Sequence, residues 1–138
     1  MTLNELIEKI KLLGSRTTKT RKAVLECMFL SNEPMSSSNI LSALKNKKIL
    51  VNRTTVYREL IFLMENGLVR EVKLIGKPSL FELSHEHRHH LICIKCNKIK
   101  TIIMDNHLHE EEKKIMKQEK FEITDHCLEF YGLCQKCQ

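Results

Sequence analysis

The chemistry of this chain is concentrated in HEHRHHLICIKC, residues 85–96, where four histidines and two cysteines fall within twelve positions. Cys93 and Cys96 form a CxxC pair, and Cys134 and Cys137 form a second one. A CxxC knuckle sets two thiolates on one side of a tight turn. Two knuckles complete a tetrahedral four-thiolate site, the closed geometry of structural zinc. A redox CxxC is disfavoured, because there are two pairs and neither lies in a βαβ pattern. Six cysteines in a secreted chain would suggest disulfides, but a reducing cytosol turns the same count towards metal binding. Cys27 reads as a small apolar residue of a helix. Cys127 reads as a strand core residue, with ligation or redox sensitivity as its sharper alternative.

Imidazole supplies the second chemistry. Along a strand His87 and His89 share one face, and Arg88 and His90 share the other. His107 and His109 flank the start of a helix, and His126 lies on the last strand. Such a cluster makes a nitrogen-rich site for a second, exchangeable divalent ion.

The elements that must carry these side chains fall into two groups. Residues 3–13 form an amphipathic helix with Leu3, Leu6, Ile7, Ile10 and Leu13 on one face, closed at Gly14. A second helix spans about 18–30, with Val24, Leu25 and Met28 inward. SNEPMSSS is a turn followed by capping serines. A third helix, about 38–46, buries Ile40, Leu41 and Leu44. A fourth begins near Asn52 and stops at Gly67. LVREVKLI and SLFELS are strands joined by the GKP turn. Helices followed by a hairpin outline a winged helix-turn-helix. The fourth helix fits the recognition position, with Arg53, Thr54, Thr55, Tyr57 and Arg58 towards base edges and Val56, Leu60, Leu63 and Met64 towards a core. The plain alternative is an ordinary amphipathic surface helix.

After residue 84 the composition changes. HRHHLICIKC and KIKTIIM form a strand pair. DNHLHEEEKKIMKQEK is a helix capped by Asp105 or Asn106, with Glu110, Glu111 and Glu112 at its electropositive end. FEITDHCLEFYGLC is a final strand. The fold class is therefore α+β: a winged helix over residues 1–84, then a small α/β unit over 85–138 with the four-cysteine site. A core this small gains directly from zinc.

A net charge of +6 agrees with a polyanionic partner such as DNA. No apolar run approaches the length of a membrane helix, and the acidic, helical N-terminus is not a signal peptide, so the expected location is the cytoplasm with no membrane partner.

Four ordered motifs, LLGSRTTKTRKAVLECM, NRTTVYRELIFLMENGLV, FELSHEHRHHLICIKCNKI and HCLEFYGLCQKC, resemble the ferric uptake regulator family of bacterial metal-dependent repressors, which has zinc-sensing and peroxide-sensing branches. The resemblance spans nearly the whole chain. It implies a homodimer on a double-stranded DNA operator, with the second unit dimerising. It places Tyr57 and Arg58 near bases and phosphates and Arg21 near the DNA backbone. Lys77, in the hairpin turn, joins this DNA-binding set. The four CxxC cysteines take the family's structural Zn2+ position.

Two regulatory sites are implied. One joins the two domains. Here Glu82 and His90 are retained, but Pro34 and Arg88 stand where histidines are usual, so this site is degraded. Arg88 beside Glu82 would mimic the metal's charge with an ion pair. Alternatively, His85 would complete a weaker site with Glu82 and His90. The other site maps to His87, His89, His109 and His126, with both customary carboxylates replaced by histidine. It would take Zn2+ or Fe2+.

The expected function is a metal-responsive, sequence-specific transcriptional repressor and not an enzyme. Its rivals are a metal-insensitive DNA binder with only structural zinc, a peroxide sensor, and a zinc buffer. A zinc hydrolase using Glu110 beside His109 as base is the remaining rival.

Overall fold

The computed structural model describes residues 2–31, 33–73, 76–84, 88–104, 108–124, 126 and 128–138. The chain divides into two compact units, residues 1–86 and 87–138.

The first unit opens with α1 (Leu3–Leu12), started by a capping box in which Thr2 and Glu5 exchange hydrogen bonds. Leu6 and Ile10 are fully buried, whereas Leu13, expected inward, lies beyond the helix and is half exposed. Gly14 turns the chain at φ +69°. Thr18 caps α2 (Lys19–Leu30), which buries Ala23, Val24, Leu25, Cys27 and Met28. Next come a two-residue strand, β1 (Met35–Ser36), and α3 (Ser37–Asn46), whose cap is Ser36. Ile40 and Leu44 of α3 close on Val56, Leu60 and Leu63 of α4 (Arg53–Glu65) in one apolar cluster.

Asn52 caps α4, and Gly67 ends it at φ +65° while the Leu68 amide returns to the Leu63 carbonyl. β2 (Val69–Val72) and β3 (Leu80–Leu83) form the wing. The sheet order is β1-β3-β2, antiparallel throughout. The sequence predicts the hairpin but reads β1 as turn. Two residues carry no periodicity of their own, and only pairing with Phe81 and Leu80 makes them a strand.

The second unit holds β4 (His89–Cys93), β5 (Ile99–Ile102), α5 (His109–Glu119) and β6 (Glu129–Gly132). β4 is central, antiparallel to β5 and parallel to β6. Leu108, not Asp105 or Asn106, holds the cap position of α5, with no side-chain hydrogen bond; those two residues lie outside the described ones. The predicted final strand is cut to four residues. Residues 121–124 are not in a strand. No helix among the described residues is long and apolar enough to cross a membrane.

Candidate metal centres and DNA-reading helix

β4 ends on Cys93. The chain then turns through Asn97, at φ +59°, whose amide donates to the Cys93 carbonyl. β6 runs beside β4, with Gly132 opposite Cys93, so the second knuckle arrives at the same end of the sheet. The ligand atoms of Cys93, Cys96, Cys134 and Cys137 all lie within 4.8 Å of one another. Cys96 Sγ and Cys134 Sγ are 3.7 Å apart. A tetrahedron of sulfurs about 2.3 Å from zinc has edges of about 3.8 Å, so the cluster fits a zinc ion.

Its electrostatics point the same way. The Cys134 amide donates to Cys93 Sγ at 3.4 Å, and with the Cys96 amide it holds the Cys93 thiol down to about 6. Cys137 is pushed up to about 12 by its hydrogen bond to Cys134, then by burial and its contacts with Cys96 and Cys93. The first thiolate forms readily and the last resists, because four anions in this space need a cation.

The histidine cluster is brought together in part. The His89 and His126 rings stack with centroids 5.4 Å apart. His89 is 3% exposed, and its Nδ1 accepts from the Leu128 amide at 3.3 Å. His126 Nδ1 lies 2.5 Å from Glu112 Oε1. His109 starts α5 on the surface, one helical turn before Glu112. His85, His87, His107 and Cys127 lie outside the described residues.

Glu112 is the functional candidate that the sequence reading missed. It is legible there only as a helix-terminal acid, although the spacing His109-x-x-Glu112 places both on one helical face. A carboxylate thus belongs beside this cluster, which the sequence reading had left without one. Two imidazoles and a carboxylate are donor types suited to zinc or iron(II), but among the described residues only the cysteine quartet has its ligand atoms within 4.8 Å of one another.

The residues of the expected interdomain site are divided between the units. Pro34 is buried ahead of β1, and Glu82 lies in β3. Arg88 and fully buried His90 belong to the second unit. Arg70, directly across the wing ladder, donates from Nε to Glu82 Oε1 at 2.7 Å. The Glu82 side chain is 1% exposed. The sequence reading offered Arg88 as the charge partner of Glu82 and overlooked Arg70, which the strand register supplies.

On α4, Arg53, Thr54, Tyr57 and Arg58 are exposed on the face opposite the core. Thr55 is half-buried, and its amide and hydroxyl both donate to Asn52 Oδ1, so it serves the cap. Lys77 is exposed in the wing turn. Arg21 is turned inward, its guanidinium paired with Glu59 at 2.6 Å.

A helical core with a three-stranded sheet whose β2–β3 hairpin is the wing, followed by a sheet that ends in a four-thiolate cluster, defines a metal-binding winged-helix protein. The comparisons place it further. The profile of the ferric uptake regulator family matches residues 13–131. The ferric uptake regulation protein of Legionella pneumophila is 35% identical over 133 residues, covering 95% of this chain and 97% of the relative. The peroxide operon regulator of Bacillus subtilis is 34% identical over 138 residues, covering 98% and 92%. The structure of the Pseudomonas aeruginosa ferric uptake regulator with manganese superposes with a TM-score of 0.80 at 26% identity, covering 98% of this chain and 99% of that one. The chain belongs to the ferric uptake regulator family, and it is a metal-responsive, DNA-binding transcriptional regulator. The family's members are regulators of transcription rather than enzymes.

Proposed function

We propose that this chain acts in the cytoplasm as a homodimeric repressor whose grip on operator DNA is set by a divalent ion, Zn2+ or Fe2+, at the histidine cluster of the second unit. His89, His126 and Glu112 would hold the ion, with His87 and His109 completing the set. The cysteine quartet would hold a separate, structural zinc. The observation that carries this reading is the joint contact of His126 with the His89 ring and the Glu112 carboxylate.

Arg53, Thr54, Tyr57 and Arg58 would read the major groove, with Lys77 on the flanking phosphates. Dimerisation is supported by the outer apolar side chains of the second unit. Leu91, Phe130, Tyr131 and Leu133 are 39–53% exposed around a groove of about 440 Å3. α5 buries no residue within its own unit. A second copy would cover such a surface. The relatives carry both iron and peroxide names, which gives the peroxide-sensing alternative no advantage.

The test is metal stoichiometry followed by DNA binding. Reduced chain saturated with zinc and desalted should hold two ions per chain, and His89→Ala with His126→Ala should hold one. A duplex enriched from a random pool by the metal-loaded chain should be released when the exchangeable ion is removed. One ion in the parent chain, with unchanged DNA binding, would favour the metal-insensitive reading.

A further inference from the structure

Arg21 sits on α2 but spends its side chain elsewhere. Its Nε donates to Glu59 Oε2 at 2.6 Å, and both side chains are largely buried, 12% and 14% exposed. One terminal nitrogen, Nη1, donates to the Arg16 carbonyl at 2.8 Å. The face of the guanidinium lies 3.5 Å from the centroid of the Phe62 ring. Glu59 and Phe62 are three residues apart, so they occupy successive turns of one face of α4. The Arg16 carbonyl belongs to the segment that joins α1 to α2. A single planar cation therefore fastens that segment, α2 and two turns of α4. Lysine lacks the fork and the flat face to do the same.

We infer that Arg21 is a positioning residue that sets the seating of α4 in the groove, rather than a phosphate contact in its own right. The inference rests on α4 being the reading helix. A recognition helix delivers information only if its tilt is fixed, because each base contact depends on side chains reaching edges to within a few tenths of an ångström. The Arg21 charge is already matched by Glu59, and its face is covered by Phe62. The hydroxyl of Thr18, which caps α2, accepts from the Arg21 amide and so fixes the backbone from which this side chain reaches.

The two roles predict opposite signs for Glu59. If Arg21 were a phosphate contact held back by Glu59, Glu59→Ala would release a positive charge, remove a negative one, and tighten DNA binding. If Arg21 is a clamp, Glu59→Ala weakens binding. The experiment uses the full-length, metal-loaded chain and a duplex enriched from a random pool by the parent protein. Affinity is titrated against salt, and hydrogen exchange is followed in α4.

Arg21→Lys, which keeps the charge and loses the fork, and Glu59→Ala should each weaken binding about tenfold or more. Their salt slopes should match the parent's, and amide exchange in residues 53–65 should be faster. The double variant should be no weaker than the worse single one. The inference is overturned if Glu59→Ala binds more tightly, or if Arg21→Lys binds like the parent while Arg21→Ala loses about one counterion from the salt slope. If the parent chain enriches no sequence and binds duplex without salt dependence, the DNA-reading assignment of α4 falls, and this inference with it.

Discussion

The Arg70–Glu82 pair gives the sharpest stability prediction. The two residues face each other across the β2–β3 ladder, with Nε 2.7 Å from Oε1. Glu82 has 1% of its side chain exposed and Arg70 has 19%. Removing one member of a buried pair costs about 3–5 kcal/mol, whereas replacing both by apolar residues of similar size is close to neutral. The partial exposure of Arg70 puts Arg70→Met near the lower end, at about 3 kcal/mol. Glu82→Met should cost less, about 1–2 kcal/mol, because the guanidinium can turn towards water. Arg70→Met with Glu82→Met should return to within about 1 kcal/mol of the parent, leaving a coupling of roughly 3 kcal/mol.

The assay is denaturation of the full-length chain followed by helical circular dichroism. Four of the five helices among the described residues lie in the first unit, so the signal reports mainly that unit. For a domain of this size, each kcal/mol moves the midpoint by about 4–8 °C, so Arg70→Met alone should lower it by roughly 15 °C. Simple additivity of the two single variants, or a cost below about 1 kcal/mol for Arg70→Met, would refute the view that Glu82 depends on Arg70.

Other outcomes can be checked alongside. Cys96→Ser should abolish tight zinc retention and unfold the second unit while the helices of the first persist, since structural zinc contributes about 10–16 kcal/mol of apparent binding energy in small domains; zinc that survives desalting of this variant would count against the quartet. Because Cys93 is held down to about 6 by the Cys134 amide, the stability it contributes is present above the ordinary thiol range and is lost as the pH falls through about 6. A bound ion holds the thiolates deprotonated well below that pH, so zinc should stay bound at neutral pH and be released only on stronger acidification, read with a chromogenic chelator. Loading the reduced, metal-free chain at neutral pH should also release protons, Cys137 among them, because without an ion its thiol stays protonated to about 12. Glu112→Gln should weaken the exchangeable ion at least tenfold by competition titration and leave the cysteine zinc in place. Lys77→Ala should lower the salt slope of DNA binding by about one and weaken all sequences alike, while a change confined to one base position would assign Lys77 to base reading.

The helices of the first unit were legible because their signals are local. Apolar residues recur at helical spacing, and Thr2, Thr18, Ser36 and Asn52 each accept a hydrogen bond from the third residue of their helix. The two CxxC pairs were legible for the same reason, since each knuckle is a four-residue motif. What escaped was set by pairing across the chain. β1 exists only through its register with β3, and the opposition of Arg70 to Glu82 is fixed by how the hairpin closes. Glu112 reached His126 because α5 starts at His109, later than the polar residues Asp105 and Asn106 suggested, which set the phase of its faces. Leu13 kept the apolar periodicity of α1 but fell past its last turn, so it lies half exposed.

The parallel pairing of β4 with β6 has a consequence for synthesis. The strand that flanks β4 on one side arrives 39 residues later in register, His90 with Glu129, and carries the second pair of thiolates just beyond it. While a ribosome is still making residues 103–128, the strand holding Cys93 has only β5 as a neighbour, and half of the quartet does not yet exist. The first unit, complete by residue 86, can fold during translation, as N-terminal domains generally do. The second must wait for Cys137 to emerge. A nascent or truncated chain thus carries a folded first unit with no finished four-thiolate cluster, and completion of the quartet is the step that marks a finished molecule.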